Sequence, residues 1–564
     1  MSINGALQTG RSALAASQAA MQVAGDNMAN AATPGYHRRS VHLSSSTDTV
    51  VGRNQFVGQG VQLQEIRREV DVALQSRFHD AISKEHGAQI DQRFLTALET
   101  IQNEMTDNDL STKLSEFFNA FSELANNPDD NAVRSLVVQE GLNVASRLGE
   151  MREEYNTLRD EIDTTLGTSV EKVNDILDQV GQINTQIAQT ELGAGESGSL
   201  RDKRDALIKE LSEYLDVSTV DQPNGAVDVH VGSTPIVLAG ESRGIELRQT
   251  SGEGSTNVSL RVADDGTKLD PDGGRIGALM RQRNDTIQPA IDDIDTMAEQ
   301  LIYQVNRLHS QGQGRIGQSQ IHGTYAPENI DVTLNHPDAD LPYSIEKGSF
   351  FIHVTHANSG ERTSHRIDID GDELSMNDLV DRINNDVDVP NVTASTALDG
   401  SLVLDAEEGF EISFSEDSSG ALAALGMNTF FTGHNAATID VHEKVQNNVG
   451  LVAAGSDHVE GSNGTALAIA DLQDVQFSAL DDRSIREFWQ QSVSKLAVRT
   501  EAANEAVDST RLVRESLDAQ IQAVSGVSLD EESINLLQFQ RQFQAAARFI
   551  NVIDETIQTL LAIR

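Results

Sequence analysis

The first 31 residues carry Ile3, Leu7, Gly10, Leu14, Ser17, Met21, Ala24, Met28 and Ala31 at alternating steps of four and three, the register of a helix lying against another helix. Large side chains hold one set of these positions and small ones the other, so a partner's bulky residues can seat between them. The far end supplies such a partner: Leu536, Phe539, Phe543, Ala546, Ile550, Ile553, Ile557 and Leu560 repeat the spacing with larger residues. Both ends therefore read as pairing helices. A single seam falls short of the entropic cost of ordering two helices, and Leu537, Phe549, Val552 and Leu561 flank it. Further neighbours are expected, either within the chain, as in an ordinary intramolecular coiled coil, or from other subunits.

Between the ends the period changes several times. AATPGYHRR at 31–39 ends the first helix at Pro34 and Gly35, and a short strand follows over 61–66. Residues 91–192 read as helical, with the main break at NNPDD, 126–130, and a helix of more than 50 residues plausible after it. A short amphipathic helix over 200–211 precedes alternation at 227–231, 236–238, 245–247 and 258–262, which marks a small antiparallel β domain. A helix is expected over 276–309. Strands then restart at 330–334, 349–355, 365–369, 401–404 and 411–415, with a helix at 376–384, and from 466 the pattern is helical to the end apart from 524–527.

The expected fold class is α+β, a long α-helical coiled-coil core formed by both chain termini and middle helices, with two inserted β-rich domains. The expected boundaries are 1–70 for the N-terminal pairing helix and extended segment, 71–212 for the long helical core, and 213–275 for the first β domain. The return helix takes 276–317, the second, acidic β-rich domain 318–445, and the C-terminal helical core with its pairing helix 446–564.

Charge refines that picture. The 564 residues include 42 basic and 87 acidic side chains, a formal charge of −45, a surface that repels nucleic acid and anionic lipid. The surplus is uneven: residues 1–70 hold six Arg against four acids, whereas 318–445 hold 5 basic and 23 acidic residues. The N-terminal region is neutral enough to pack against copies of itself, and the acidic insertion reads as solvated exterior. There is no cysteine, which removes disulfides, thiol catalysis and Cys-ligated metals. No stretch approaches 18 apolar residues and Met1 to Ser17 lacks a signal-peptide pattern, so no membrane insertion and no cleaved secretion signal are expected.

Catalytic and metal constellations do not assemble from the sequence. Asp368, Asp370 and Asp372 begin like a calcium loop, but Gly371 falls at the fourth position instead of the sixth and Leu379 stands at the twelfth, so a turn is expected. His353 and His356 are three apart in a strand-like run, point to opposite faces, and read as surface or edge residues. Residues 264–273 are rich in carboxylates but also in Gly and Pro, a solvated loop. Asn257, Asn391 and Asn463 fit the short glycosylation pattern, which carries little information. No enzyme, cofactor or metal is expected.

Three stretches carry a family likeness. Residues 6–41, ALQTGRSALAASQAAMQVAGDNMANAATPGYHRRSV, resemble the N-terminal motif shared by rod, hook and hook-associated proteins of the bacterial flagellum. Residues 525–564, SGVSLDEESINLLQFQRQFQAAARFINVIDETIQTLLAIR, resemble more specifically the flagellar hook-associated protein 1 family, as does LRDKRDALIKELSEYLDV at 200–217. That family usually has Tyr where Phe543 stands. The likeness covers about 1–316 and 446–564, and thins in the acidic insertion.

The resemblance implies a structural subunit at the hook–filament junction, an adaptor for filament assembly. It implies as partners other copies of the chain in a ring, hook protein, the second junction protein, and an export chaperone that binds the C-terminal helix. The implied location is extracellular, on the flagellum, reached by type III export. The expected subunit-interface residues are Leu7, Leu14, Met21, Met28, Leu536, Phe539, Phe543, Ile550, Ile553, Ile557 and Leu560. The alternatives are another axial protein of hook or filament type, or a junction protein with an added adhesive role in 318–445.

Overall fold

The computed structural model describes residues 3–562 except 53–54, 105–108, 194, 253–254, 457–458 and 460. It is an α+β fold in which long helices frame several small antiparallel sheets. Helix α1 (Ile3–Ala29) stops just before Pro34 and Gly35 turn the chain. Strands β1 (Arg39–Ser45), β2 (Thr49–Gly52), β3 (Gln55–Val57) and β4 (Val61–Arg68) form two antiparallel ladders, β1 with β4 and β2 with β3. Helices α2 (Val72–Gln102), α3 (Leu110–Asn126), α4 (Asn131–Thr190) and α5 (Gly198–Tyr214) follow. The α4 helix runs 60 residues after the break at 127–130.

Two compact units result, one of Met1–Phe94, Glu161–Asp285 and Glu501–Arg564, the other of Leu95–Asp160 and Thr286–Thr500. In the first, β5 (Val217–Asp221), β6 (Val227–Val231), β7 (Thr234–Leu238) and β8 (Glu241–Ser242) make a four-stranded sheet. Beside it in sequence, β9 (Ile245–Gly252), β10 (Ser255–Val262) and β11 (Lys268–Leu269) make a three-stranded one. Two α4 amides fix these strands. Asn184 donates to the Val227 carbonyl (2.8 Å) and accepts from its N–H (3.1 Å), and Asn174 does the same with Ile245 at 2.9 and 2.8 Å. Each side-chain amide thus replaces a ladder partner that a strand end would otherwise lack.

The second unit is built around aromatic packing. Asp109 caps α3 by accepting from Thr112 N (2.7 Å), and the helix buries Leu110, Leu114, Phe117, Phe118, Phe121 and Leu124. Phe117 and Phe121 meet edge-on at 5.2 Å, and Phe121 meets Phe430 at 5.6 Å. The chain passes through α6 (Gly274–Gln282), a π-helical turn at Arg283–Ile287 and α7 (Gln288–His309). Here α7 buries Ile291, Ile294, Met297, Leu301 and Val305 along one face. Strands β12 (Gln320–His322), β13 (Gly348–His356), β14 (Arg362–Ile369), β15 (Val392–Thr396), β16 (Leu402–Ala406) and β17 (Phe410–Ser415) form two sheets of order β12-β16-β15 and β14-β13-β17. Short helices α8 (Met376–Asp381), α9 (Ala421–Ala424), α10 (Glu443–Asn447) and α11 (Gly464–Asp471) punctuate them. Last come α12 (Ile485–Ser525) and α13 (Leu529–Ala562).

Several local expectations fail for physical reasons. Residues 330–334 form turns instead of a strand, because Asn329 takes the Asp331 N–H with its own side chain (3.1 Å) and only Thr333 bridges, to Ser375. The helix expected from 466 breaks over 472–484, where Asp481 and Asp482 both adopt left-handed backbone (φ 55 and 57) and Phe477 bridges Arg483. His353 is not a surface residue: on the central strand β13 it is buried, with Nδ1 2.7 Å from Ser364 Oγ on β14 and Nε2 2.7 Å from Ser415 Oγ on β17. Asp370 is in a turn as expected, paired with Lys347 at 2.9 Å.

Candidate assembly surface

The terminal helices find each other. Helix α1 packs along α13, and they run antiparallel, since Gly10 lies against Ile550 while Asn27 reaches Glu532. On α1 Gly10, Ala16, Ser17, Ala20, Val23, Ala24 and Asn27 are buried, and Leu7, Leu14, Met21 and Met28 flank them half-buried. On α13 Ala546 and Ile553 are buried, and Leu536, Phe539, Phe543, Ile550 and Ile557 are half-buried. Leu560 alone of the expected interface set is exposed, at 56%. The seam is therefore closed within one chain, with most of its large residues half-buried and Val23 and Ile553 buried among the small ones.

Part of the missing neighbour is the chain's own ribbon, since β1 and β4 lie on α1. Gly60 makes this approach possible: at φ 101, a conformation that side-chain-bearing residues avoid, any Cβ there would come within 3.0 Å of Thr9 Cα. Beyond the ribbon, apolar surface remains uncovered. Ile534, Leu537, Phe549 and Val552 stay exposed along the outer side of α13, and the cross-strand pair Val50 and Phe56 is 62% and 67% exposed on β2 and β3. A row of this kind marks an interaction surface more readily than scattered single residues do.

Where this limb meets the rest of its unit, residues 36–39 reach one helix after another. Tyr36 Oη donates to Asn27 Oδ1 on α1 (2.8 Å). His37 Nδ1 donates to Asp202 on α5 (2.9 Å), and its Nε2 accepts from Gln75 on α2 (3.0 Å). Arg38 Nε pairs with Glu532 on α13 (2.9 Å), and its N–H donates to the Ser525 carbonyl ending α12 (2.9 Å). Arg39 pairs with Asp202 at 3.4 Å, and Arg68 bridges Asp202 and Asp205 at 2.8 and 2.7 Å. Burial alone would raise the Asp202 pKa, but the hydrogen bonds from His37 and Arg68 and the Arg68 charge outweigh it and hold the carboxyl below its ordinary value. Arg68 is correspondingly raised, its own burial outweighed by Asp205 and Asp202. Sequence reasoning missed this joint. The available signal was a run of bases at 37–39 and 67–68 facing paired acids in LRDKRD and LDEES.

Other chemistry is sparse. Among the described residues no group of three or more His, Asp or Glu could hold a metal ion. The exposed Asp265 is pushed down to about 2 by the Thr267 backbone and side chain and by Arg243, as a turn acid would be. Among the described residues no helix is long and apolar enough to cross a membrane.

Residues 95–321 match the family described as flagellar hook-associated protein FlgK helical domain. Residues 520–563 match the flagellar basal body rod FlgEFG protein C-terminal family, and 7–37 the flagella basal body rod protein family. Flagellar hook-associated protein 1 of Bacillus subtilis (strain 168) is 24% identical over 98% of this chain and 97% of its own length. The proteins of the same name from Escherichia coli (strain K12) and Salmonella typhimurium (strain LT2) are 23% and 22% identical, over 98% of each chain. A solved structure, the flagellar hook junction protein FlgK from Burkholderia pseudomallei, aligns with 80% of this chain and 100% of its own at 15% identity and a TM-score of 0.49. With 7–37 and 520–563 matching flagellar rod-protein families, 95–321 matching the FlgK helical domain family and nearly its whole length aligning with proteins named flagellar hook-associated protein 1, the chain is similar throughout to that family.

Proposed function

We propose that the chain is a structural subunit of the bacterial flagellum that forms the junction between hook and filament and acts as the adaptor on which the filament is assembled. The observation that carries the reading is the terminal limb. Its seam is closed internally, yet α13 still offers Ile534, Leu537, Phe549 and Val552 to a neighbour. An enzyme gains nothing from such a row, whereas a subunit of a ring requires a surface that another copy can cover.

In this reading the seam residues Leu7, Leu14, Met21, Met28, Leu536, Phe539, Phe543, Ile550, Ile553, Ile557 and Leu560 shape the part of the subunit that packs against its copies. Hook protein and the second junction protein are the axial neighbours. An export chaperone covers α13 before the subunit leaves the cell. Most acidic side chains of 318–445 face solvent, the buried Asp417 excepted. Deleting the gene in its own flagellated host should leave hooks without filaments, with the chain's own copy restoring both filaments and motility. Normal filaments in the deletion strain would remove the basis of the assignment.

A further inference from the structure

The limb made of α1, β1–β4 and α13 is joined to the rest of its unit by two short links, 69–71 and 526–528. Both lie at one place. The Arg38 N–H donates to the Ser525 carbonyl (2.9 Å), and the Arg38 carbonyl accepts from the Glu69 N–H (2.8 Å), so three passages of the chain run side by side. A limb attached this way can turn about the links unless something else holds it. Beside them is a half-open cleft of about 480 Å³, edged by Gly35, Phe78, Ala206, Ile521 and Gly526. The limb is therefore not wedged there by apolar packing.

We propose that Asp202 is the anchor of an ionic catch that fixes the direction in which the terminal helix pair leaves its unit, and that losing it frees the pair to swing without unfolding it. Asp202 on α5 holds three bases of the limb, His37, Arg39 and Arg68, and Arg68 reaches on to Asp205. The Arg38–Glu532 pair, by contrast, lies within the limb. Asp202 is largely enclosed, its side chain 11% exposed. Enclosed ions contribute little net stability, because desolvation offsets their attraction, but removing one partner leaves the others uncompensated. Such a cluster is suited to fixing an orientation. It is not saturated either, since Arg39 Nε and Arg68 Nε are buried with no acceptor. An alternative arrangement of the same guanidinium groups thus forfeits little.

The absence of cysteine allows a direct test. Spin labels on Gln18→Cys, exposed on α1, and Glu171→Cys, exposed on α4, report the angle between limb and unit in the full-length chain. The wild-type background should give one narrow distance distribution by pulsed electron resonance, and Asp202→Asn should at least double its width. Hydrogen exchange at Ala20 and Ala546 in the seam, and at Val173 and Ile208 in the base, should be unchanged in that variant. A broad distribution in the wild type, or a narrow one in Asp202→Asn, would overturn the catch. Loss of seam protection in Asp202→Asn would also overturn it, because the acid would then hold the pair folded instead of aimed. None of these readouts depends on whether the chain joins hook to filament.

Discussion

Ile550 occupies the space that a side chain on Gly10 would need: its Cγ1 stands 2.6 Å from the position of a Cβ built on that glycine, and Phe549 Cδ1 stands 3.3 Å away. The two helices come this close because α1 has no side chain there. Gly10→Ala should therefore separate α1 from α13 even though alanine is the better helix former, with a net loss of about 1–3 kcal/mol of the kind seen on overpacking. Trimming the partner with Ile550→Ala should relieve most of it. A double-mutant cycle read by hydrogen exchange at Ala20 and Ala546 checks the pair, and additive effects would mean that the contact does not set the spacing.

The seam and the outer row can be separated by mutation. Ile550→Asp buries a carboxylate at the seam without a partner, at a cost of several kcal/mol, and should abolish both helix pairing and filament formation. Leu537→Lys lies on the exposed side of α13 and should leave helix pairing intact while still blocking filaments. Asp368→Asn, at an exposed acid, is the control that should keep motility. If Leu537→Lys builds normal filaments, the outer row is not where copies meet.

Much of this architecture was legible because long periods carry redundant information. Leu7 through Met28 and Leu536 through Leu560 announce their pairing over many turns, and the 60-residue α4 follows from a pattern that a single break at 126–130 bounds. What was not legible is set by single contacts at long range. That Gly10 rather than Leu14 lies at the centre of the seam depends on where Ile550 arrives. That His353 is buried depends on Ser364 and Ser415 arriving from two other strands. The joint at 36–39 was missed for the same reason. Its bases and acids are 163 and 493 residues apart in the Arg39–Asp202 and Arg38–Glu531 pairs, and nothing local in either segment specifies the other.

Acid should weaken the second unit through His309. Its ring is fully enclosed, with Nδ1 donating to the Asn428 carbonyl (2.8 Å) and Nε2 accepting from the Ala453 N–H (2.9 Å). A second proton would set donor against donor. Burial, with smaller effects from His442 and Arg134, pushes the pKa down to about 4 from 6.5. The folded state thus binds fewer protons than the unfolded one between these values. The contribution is whole above pH 6.5 and is lost as pH falls toward 4, up to about 3 kcal/mol. Hydrogen exchange at Leu301 and Val305 should lose protection over that window. His309→Gln should be less stable at pH 7 but show a flatter dependence, and an unchanged slope would assign the acid sensitivity elsewhere.

Two glycines in one helix should respond oppositely to the same substitution. On α4, a Cβ at Gly141 would meet Phe430 Cε1 at 2.7 Å, Phe430 Cζ at 2.9 Å and Val441 Cγ2 at 3.0 Å, whereas at Gly167 nothing lies within 4 Å. Alanine is favoured over glycine in a helix interior by about 1 kcal/mol, and Gly167→Ala should realise most of that gain. At Gly141 the same gain is opposed by a rigid ring. Phe430 is fully buried and packed edge-on against Phe431 at 4.8 Å, so it has no free direction in which to yield. Gly141→Ala should therefore destabilise by about 1–3 kcal/mol despite the better propensity. Denaturant titration of the two variants side by side checks the sign of each, and a stabilised Gly141→Ala protein would show that the Phe430 cluster repacks more readily than its enclosure suggests.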